Sequence, residues 1–189
     1  MKITGIILAG GKSSRMGTDK ALLQINGHSF LQHCHDVLIK LCDEIIISSS
    51  NQAHELNNTL RVADIYPEKG PLGGLHATLS ASKNDINLCL SVDTPFVTVD
   101  FLRWMLNQQK DDKSFFIKEG GRFHPLIGVY HKSAVASTEV ALKNNSLRTT
   151  ELVKNLPHDW QHLEFYVDYN FGMLANINTQ EEYEKALKR

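Results

Sequence analysis

Apolar residues follow two alternating rhythms along this chain. Residues 3–8 form a short run, continuous at Ile6-Ile7-Leu8, of the kind a strand buried on both faces needs. Phe30, Leu31, Cys34, Val37, Leu38, Leu41 and Cys42 then recur at the spacing of one helix face, with Ser29 and Gln32 as a capping box ahead of them. Residues 44–48, centred on Ile45-Ile46-Ile47, are a second buried strand. Asn51 opens a short helix or turn, and residues 60–62 are a third, shorter strand. Gly70-Pro71 starts another helix, the proline standing where its missing N–H costs least. A strand over 88–92 ends at Asp93. Residues 101–106 are helical, 114–117 and 126–130 are strands, and 134–142 and 149–156 are helices. Thr179 with Glu182 caps a last helix that runs almost to the end.

Strands alternating with helices predict a three-layer α/β domain, Rossmann-like, with a mainly parallel central sheet, in one unit over 1–189. In such sheets ligands bind beyond the carboxyl ends of the strands. The segment after the first strand and Asp93 after the fourth both belong there.

Composition narrows the choice without deciding it. With 189 residues, 42% hydrophobic and 22% charged, the chain can bury a core without disulfides or metals. A net charge of −1 gives no support to a nucleic-acid or anionic-membrane partner. Cys34, Cys42 and Cys89 lack metal-ligand or C-x-x-C spacing. Cys34 and Cys42, eight apart on one predicted helix, would be roughly 12 Å from each other, so reduced thiols and a cytoplasmic location are expected. The amino terminus reads as neither signal peptide nor membrane span. His33-Cys34-His35 is not a chelating cluster, because i and i+2 point to different sides of a helix.

The chemistry concentrates in residues 8–22. The first strand runs into Gly10-Gly11, and Arg15 and Lys20 follow with Gly17 between them. Glycines let backbone N–H groups approach phosphate oxygens, and the cations neutralise what remains. The spacing fits neither a Walker loop nor a Rossmann fingerprint. Arg15 suits the β- and γ-phosphates, which leave together, through its planar fork. Lys20, a point charge, suits the α-phosphate where charge builds. Asp93 either holds Mg²⁺, which takes one or two carboxylates plus substrate phosphates, or caps the Thr94-Pro95 turn. Its place beside the loop favours the metal. Asn51 and Asp64, just after strands, are within reach of a ribose or base.

The stretch Leu-Ala-Gly-Gly-Lys-Ser-Ser-Arg-Met-Gly-Thr-Asp-Lys resembles the L-A-G-G-x-S-x-R-M-G-x-D-K pattern of the molybdenum cofactor guanylyltransferase (MobA) family of nucleotidyltransferases. Asp93-Thr94-Pro95 is similar to that family's metal motif. Asp64 with Gly70-Pro71-Leu72-Gly73-Gly74 is similar to its D…G-P-L-A-G segment, with Gly73 in place of the usual alanine. The resemblance implies transfer of GMP from GTP to molybdopterin with Mg²⁺ and release of pyrophosphate. It implies nucleotide contacts from Leu8, Ala9, Gly10, Gly11, Ser13, Lys20, Asn51, Asp64, Gly73, Gly74 and Asp93. Leu-Ala-Gly-Gly favours guanine, since cytidylyl relatives more often read Leu-Ala-Ala-Gly. Other cofactor-biosynthesis proteins are candidate partners. The acceptor falls to the second half, where His124 opens a strand and Arg148, Asn176 and Asn178 stand on loops. Asn176-Ile177-Asn178-Thr179 is similar to the family's N-x-N-T-P segment, with Gln180 for proline. Arg148, Asn176 and Asn178 are expected across the crevice from Gly10, Arg15 and Lys20. The rivals are a relative using CTP on the same cofactor or an NTP on a sugar phosphate, and a nucleotide-binding regulator without chemistry. Lys20 with Asp93 argues against the last.

Overall fold

The computed structural model describes residues 2–10, 18–170 and 172–188. Seven strands form one sheet: β1 (Ile3–Leu8), β4 (Glu44–Ser48), β5 (Thr59–Val62), β6 (Ile86–Ser91), β7 (Ser114–Glu119), β8 (Arg122–His131) and β9 (His158–His162). A separate hairpin pairs β2 (Gln24–Ile25) with β3 (His28–Ser29). The sheet order is β5-β4-β1-β6-β8-β7-β9, and β8 runs against all its companions. The chain winds outward from β1 through β4 to β5, then returns to lay β6 on the other flank of β1. Strand order therefore reverses between β1 and β6, and a crevice opens at their carboxyl ends.

Helices cover both faces. Successive residues of β1 point to opposite sides, so Ile7 and Ala9 join one core and Ile6 and Leu8 the other. The first core takes Phe30, Leu31, Cys34 and Leu38 of α1 (Phe30–Leu38) and Phe101, Leu102 and Met105 of α3 (Val99–Gln108). The second takes Leu72, Leu75 and Leu79 of α2 (Pro71–Ala81), with residues of α4 (Ala134–Lys143) and α5 (Thr149–Lys154). At the end of the chain α6 (Gln180–Ala186) carries a full capping box between Thr179 and Glu182.

Two local expectations need correction, and two elements lie outside the expected ones. Ser29 does cap α1, accepting from the Gln32 N–H, but the Gln32 side chain donates to Asp36 Oδ1 at 2.6 Å instead of closing a box. α1 stops at Leu38, so Cys42 lies beyond the helix that holds Cys34. The β2–β3 hairpin turns on Asn26-Gly27, both at positive φ (52° and 81°), a pairing the Asn-Gly signal specifies. Strand β9, His158-Asp159-Trp160-Gln161-His162, has no apolar alternation because it is an edge strand with little to bury.

At the end of the sheet away from the crevice, Lys132 ties the layers together. Its ammonium donates to the carbonyls of Leu79, Ser80 (3.2 Å) and Ser82 (2.6 Å) at the carboxyl end of α2, where a cation is favourable. Lys132→Met leaves those carbonyls without their donor and should cost about 1–3 kcal/mol. Chemical denaturation should show that loss, with nucleotide-induced stabilisation unchanged.

Candidate active site

The crevice is assembled on the exit of β1. Ala9 N–H donates to the Ser48 carbonyl (3.2 Å), and Val92 N–H donates to the Leu8 carbonyl (3.1 Å). Both neighbouring strands thus grip the chain just before exposed Gly10. Gly11, Ser13 and Arg15 lie outside the described residues.

Lys20 stands in a 3₁₀ turn (Lys20–Leu22) capped by Asp19, whose Oδ1 accepts the Ala21 N–H at 3.1 Å. Its ammonium donates to Asn178 Oδ1 at 2.7 Å. Asp93 follows β6, and its carbonyl accepts the Ile177 N–H at 2.9 Å. Asn176 Nδ2 is 3.5 Å from Asp93 Oδ2. The segment expected across the crevice from Lys20 is therefore bonded directly to Lys20 through Asn178 and to Asp93 through Asn176.

The turn after β6 is closed by Thr94, whose hydroxyl and N–H both donate to the Ser91 carbonyl (2.8 and 3.2 Å). Asp93 is left over from that task. Its Oδ1 is buried and has no hydrogen-bond partner among the described residues. A buried carboxylate oxygen without a donor is costly unless a cation faces it. The floor beneath is the buried Cys34 thiol, pushed up to about 12 by burial and by the Asp93 charge, so it stays protonated. Asp93 thus fits Mg²⁺, with substrate phosphates as the remaining ligands. Among the described residues no group of three or more His, Cys, Asp or Glu is placed to hold a metal by protein ligands alone. His33 contacts the Ile25 carbonyl and His35 pairs with Asp36.

Asp64, beyond β5, accepts the Ser48 hydroxyl on Oδ1 at 3.1 Å. A Cβ on Gly73 would lie 2.9 Å from the Tyr66 carbonyl and 3.0 Å from Asp64 Oδ2. One on Gly74 would overlap the Ser48 hydroxyl. These glycines make room for Asp64 and Ser48, and both are buried, which explains why Gly73 departs from the alanine of the motif. Asn51 is exposed. Its Oδ1 accepts the Ala53 N–H (3.0 Å) and its Nδ2 donates to Asp19 Oδ2 (2.8 Å), so both ends of the amide are engaged. Of the remaining acceptor candidates, His124 pairs with Glu119 at 3.2 Å on the β7–β8 hairpin. Arg148 precedes α5 with its side chain 82% exposed, 3.5 Å from Glu151.

Three residues escaped the sequence reading: Asp19, His54 and Ser48. Asp19 sits inside the glycine-loop motif, directly before Lys20, and a side chain that caps a turn there was a legible signal. Histidine three residues after Asn51 was a weaker one. For Ser48 the sequence offered only the end of a strand.

A glycine exit from β1, a lysine at its rim and a lone carboxylate across the strand-order reversal are the working parts of a nucleotidyltransferase. The chain belongs to the MobA-like NTP transferase domain family, whose model matches residues 5–158. A Clostridium perfringens protein named "Probable molybdenum cofactor guanylyltransferase" is 34% identical, over 100% of this chain and 98% of its own length. A Syntrophotalea carbinolica protein named molybdenum cofactor guanylyltransferase is 31% identical, over 96% and 89%. Molybdopterin-guanine dinucleotide biosynthesis protein A of Archaeoglobus fulgidus has the same fold, with a TM-score of 0.83 at 19% identity over 98% of this chain and 97% of that one. No helix among the described residues is long and apolar enough to cross a membrane.

Asp64 makes the stability of the ligand-free fold depend on pH. Burial raises its carboxyl above the usual carboxylate range, and the Ser48 hydroxyl offsets part of that. A raised group contributes stability that is full below its unfolded value and is lost as pH rises through the folded value. At neutral pH the ionised carboxylate therefore strains the ligand-free fold. Asp64→Asn keeps an acceptor for Ser48 and should raise the melting temperature at about pH 7, with no gain at about pH 3. Melting curves at the two pH values check this.

Proposed function

We propose that this chain transfers GMP from GTP to the terminal phosphate of molybdopterin, releasing pyrophosphate. The observation that carries the reading is the buried Oδ1 of Asp93, without a hydrogen-bond partner among the described residues, at the reversal point of the sheet. The names of the two guanylyltransferase relatives supply the substrate class.

An acceptor phosphate oxygen attacks the α-phosphorus of GTP. The bond from that phosphorus to the oxygen bridging to the β-phosphate breaks, and its electron pair leaves with pyrophosphate. No covalent enzyme intermediate is needed, so the protein contributes positioning and charge stabilisation. Lys20 reaches the α-phosphate, where negative charge develops. An ammonium carries three donors, so its bond to Asn178 is compatible with a phosphate contact. Arg15 clamps the departing β- and γ-phosphates. Mg²⁺ held by Asp93 would neutralise phosphate charge and polarise the phosphoryl oxygens. Asp64 and Asn51 face the nucleoside, and Asn176 and Asn178 offer amides that match the hydrogen-bonding edge of a pterin. The location that suits these substrates is the cytoplasm.

Ligands that bind only the native state raise its melting point. GTP with Mg²⁺ should therefore stabilise the protein more than ATP, CTP or UTP does. An equal or larger shift with CTP would overturn the guanylyl assignment and leave the family untouched.

Lys20 and Asp93 should be separable by kinetics. Lys20→Ala should lower turnover by roughly a hundredfold or more, the usual loss for one preorganised charge contact, with a smaller effect on GTP binding. Asp93→Asn should lose most activity and recover part of it at higher magnesium, whereas Lys20→Ala should not respond. Near-normal turnover in either variant contradicts this division of labour.

A further inference from the structure

We propose that His54 is a positioning residue that sets the geometry of Lys20 and Asn51 through the carboxylate of Asp19. The inference rests on the assignment of Lys20 to the nucleotide, and nothing in the family motif calls for a histidine at this place.

His54 ends a 3₁₀ turn (Gln52–His54) behind β4 and is 2% exposed. Both ring nitrogens are bonded. Nε2 lies 2.9 Å from Asp19 Oδ2, and Nδ1 lies 2.7 Å from Ser49 Oγ. An ionised carboxylate only accepts, so Nε2–H donates to Asp19, and Nδ1 shares a hydrogen bond with the Ser49 hydroxyl. Ser49 is itself fixed to the sheet, its N–H donating to the Val62 carbonyl at 2.9 Å. Its oxygen also accepts the Asn51 N–H at 3.0 Å.

The result is a chain of bonds from the sheet to Lys20. It runs from Val62 to Ser49, to His54, to Asp19, and from Asp19 Oδ1 to the Ala21 N–H in the turn that contains Lys20. Asp19 Oδ2 accepts from His54 and from Asn51 Nδ2 at once, so one carboxylate holds a cation-bearing turn and an amide from a different βα connection. Asp19 and His54 are 35 residues apart. The Asp19 cap of the Lys20 turn is local, and His54 ties that cap to the sheet. A buried imidazole with both nitrogens engaged has one orientation, and this rigidity sets an arrangement that a solvated Asp19 would lack. The same logic orients other working side chains through a partner that never touches the substrate.

The test combines a geometric readout with a kinetic one, in the full-length protein. His54→Leu keeps the bulk and removes both bonds, and His54→Gln offers an amide donor and a carbonyl acceptor in place of the ring. Circular dichroism and melting establish that each variant is folded. Hydrogen exchange then reads the Ala21 and Leu22 amides. His54→Leu should speed their exchange about tenfold or more, as expected for a lost hydrogen bond to a charged group, while β1 and β4 stay protected. His54→Gln should restore part of that protection. Unchanged exchange at Ala21 in His54→Leu overturns the proposal whatever reaction the protein catalyses, so this arm is independent of the GTP assignment. Turnover is measured with the nucleotide that the wild-type protein prefers. His54→Leu should lower kcat by roughly a hundredfold, the penalty of a misplaced group, with KM for the nucleotide nearly unchanged. In the Lys20→Ala background the same change should have almost no further effect. Additive losses in the two backgrounds mean that His54 does not act through Lys20, and the proposal fails.

Discussion

Everything in this crevice is referred to one strand. β1 is buried on both faces and paired on both edges, so it has no freedom to shift in register or to rotate. The last bonds of that pairing, from Ala9 to Ser48 and from Leu8 to Val92, are made at the point where the chain leaves the sheet. They determine where Gly10 emerges. They also set the distance from Gly10 to the Ser48–Asp64 pair on one side and to Asp93 on the other. A phosphate site needs groups from several loops held to a fraction of an ångström. Loops cannot supply that alone, and a strand locked in this way can.

The groups placed around that exit are not restful ones. Asp64 is half-buried with its carboxyl raised by burial, and Asp93 hides an oxygen that no donor reaches among the described residues. Cys34 beneath it excludes water rather than offering a strong hydrogen bond, its Sγ lying 3.8 Å from the Ser91 carbonyl. Water exclusion strengthens the electrostatic field that a bound cation and phosphate would feel. In the free protein the same exclusion is destabilising. The core accepts that burden because Ile6, Ile7, Leu88, Leu90 and their neighbours are completely buried around it. Local rules are broken at the site and satisfied elsewhere, which is the pattern expected of a working crevice.

How much of this could be read from residues alone follows from range. The strand over Ile3–Leu8, the helix opening at Pro71 and the cap at Thr179 are written in consecutive residues, and they were legible to within a residue or two. So was the convergence of Gly10 and Asp93, because alternating strands and helices constrain where strands end. The end of α1 was not legible. Leu41 and Cys42 continue the apolar period, yet Cys42 turns back to close the loop onto Leu38 and to pack against Gly5, where an added Cβ would meet its Sγ at 3.2 Å. β9 was invisible because an edge strand buries too little to leave an apolar pattern. The tight packing of Gly74 on Ser48 was not legible either, because Ser48 stands more than 20 positions earlier in the chain and no local pattern carries that information.

The contact between Lys20 and Asn178 joins residues separated by 158 positions. It exists only because the chain's last segment is drawn back over the first loop. Tyr183 donates to the Gln24 carbonyl at 2.8 Å and packs edge-on against Phe30, which fastens α6 to the β2–β3 hairpin and to α1. Glu182 accepts the N–H groups of both Asn178 and Thr179, so the capping box that starts α6 also fixes the asparagine in front of it. Ile177 is buried in the core of that face and donates to the Asp93 carbonyl. The amino-terminal half contributes Lys20 and Asp93 as separate groups on separate loops. The carboxyl-terminal segment touches both and so links them. A site divided between the two ends of a chain in this way is completed only when the last segment is in place.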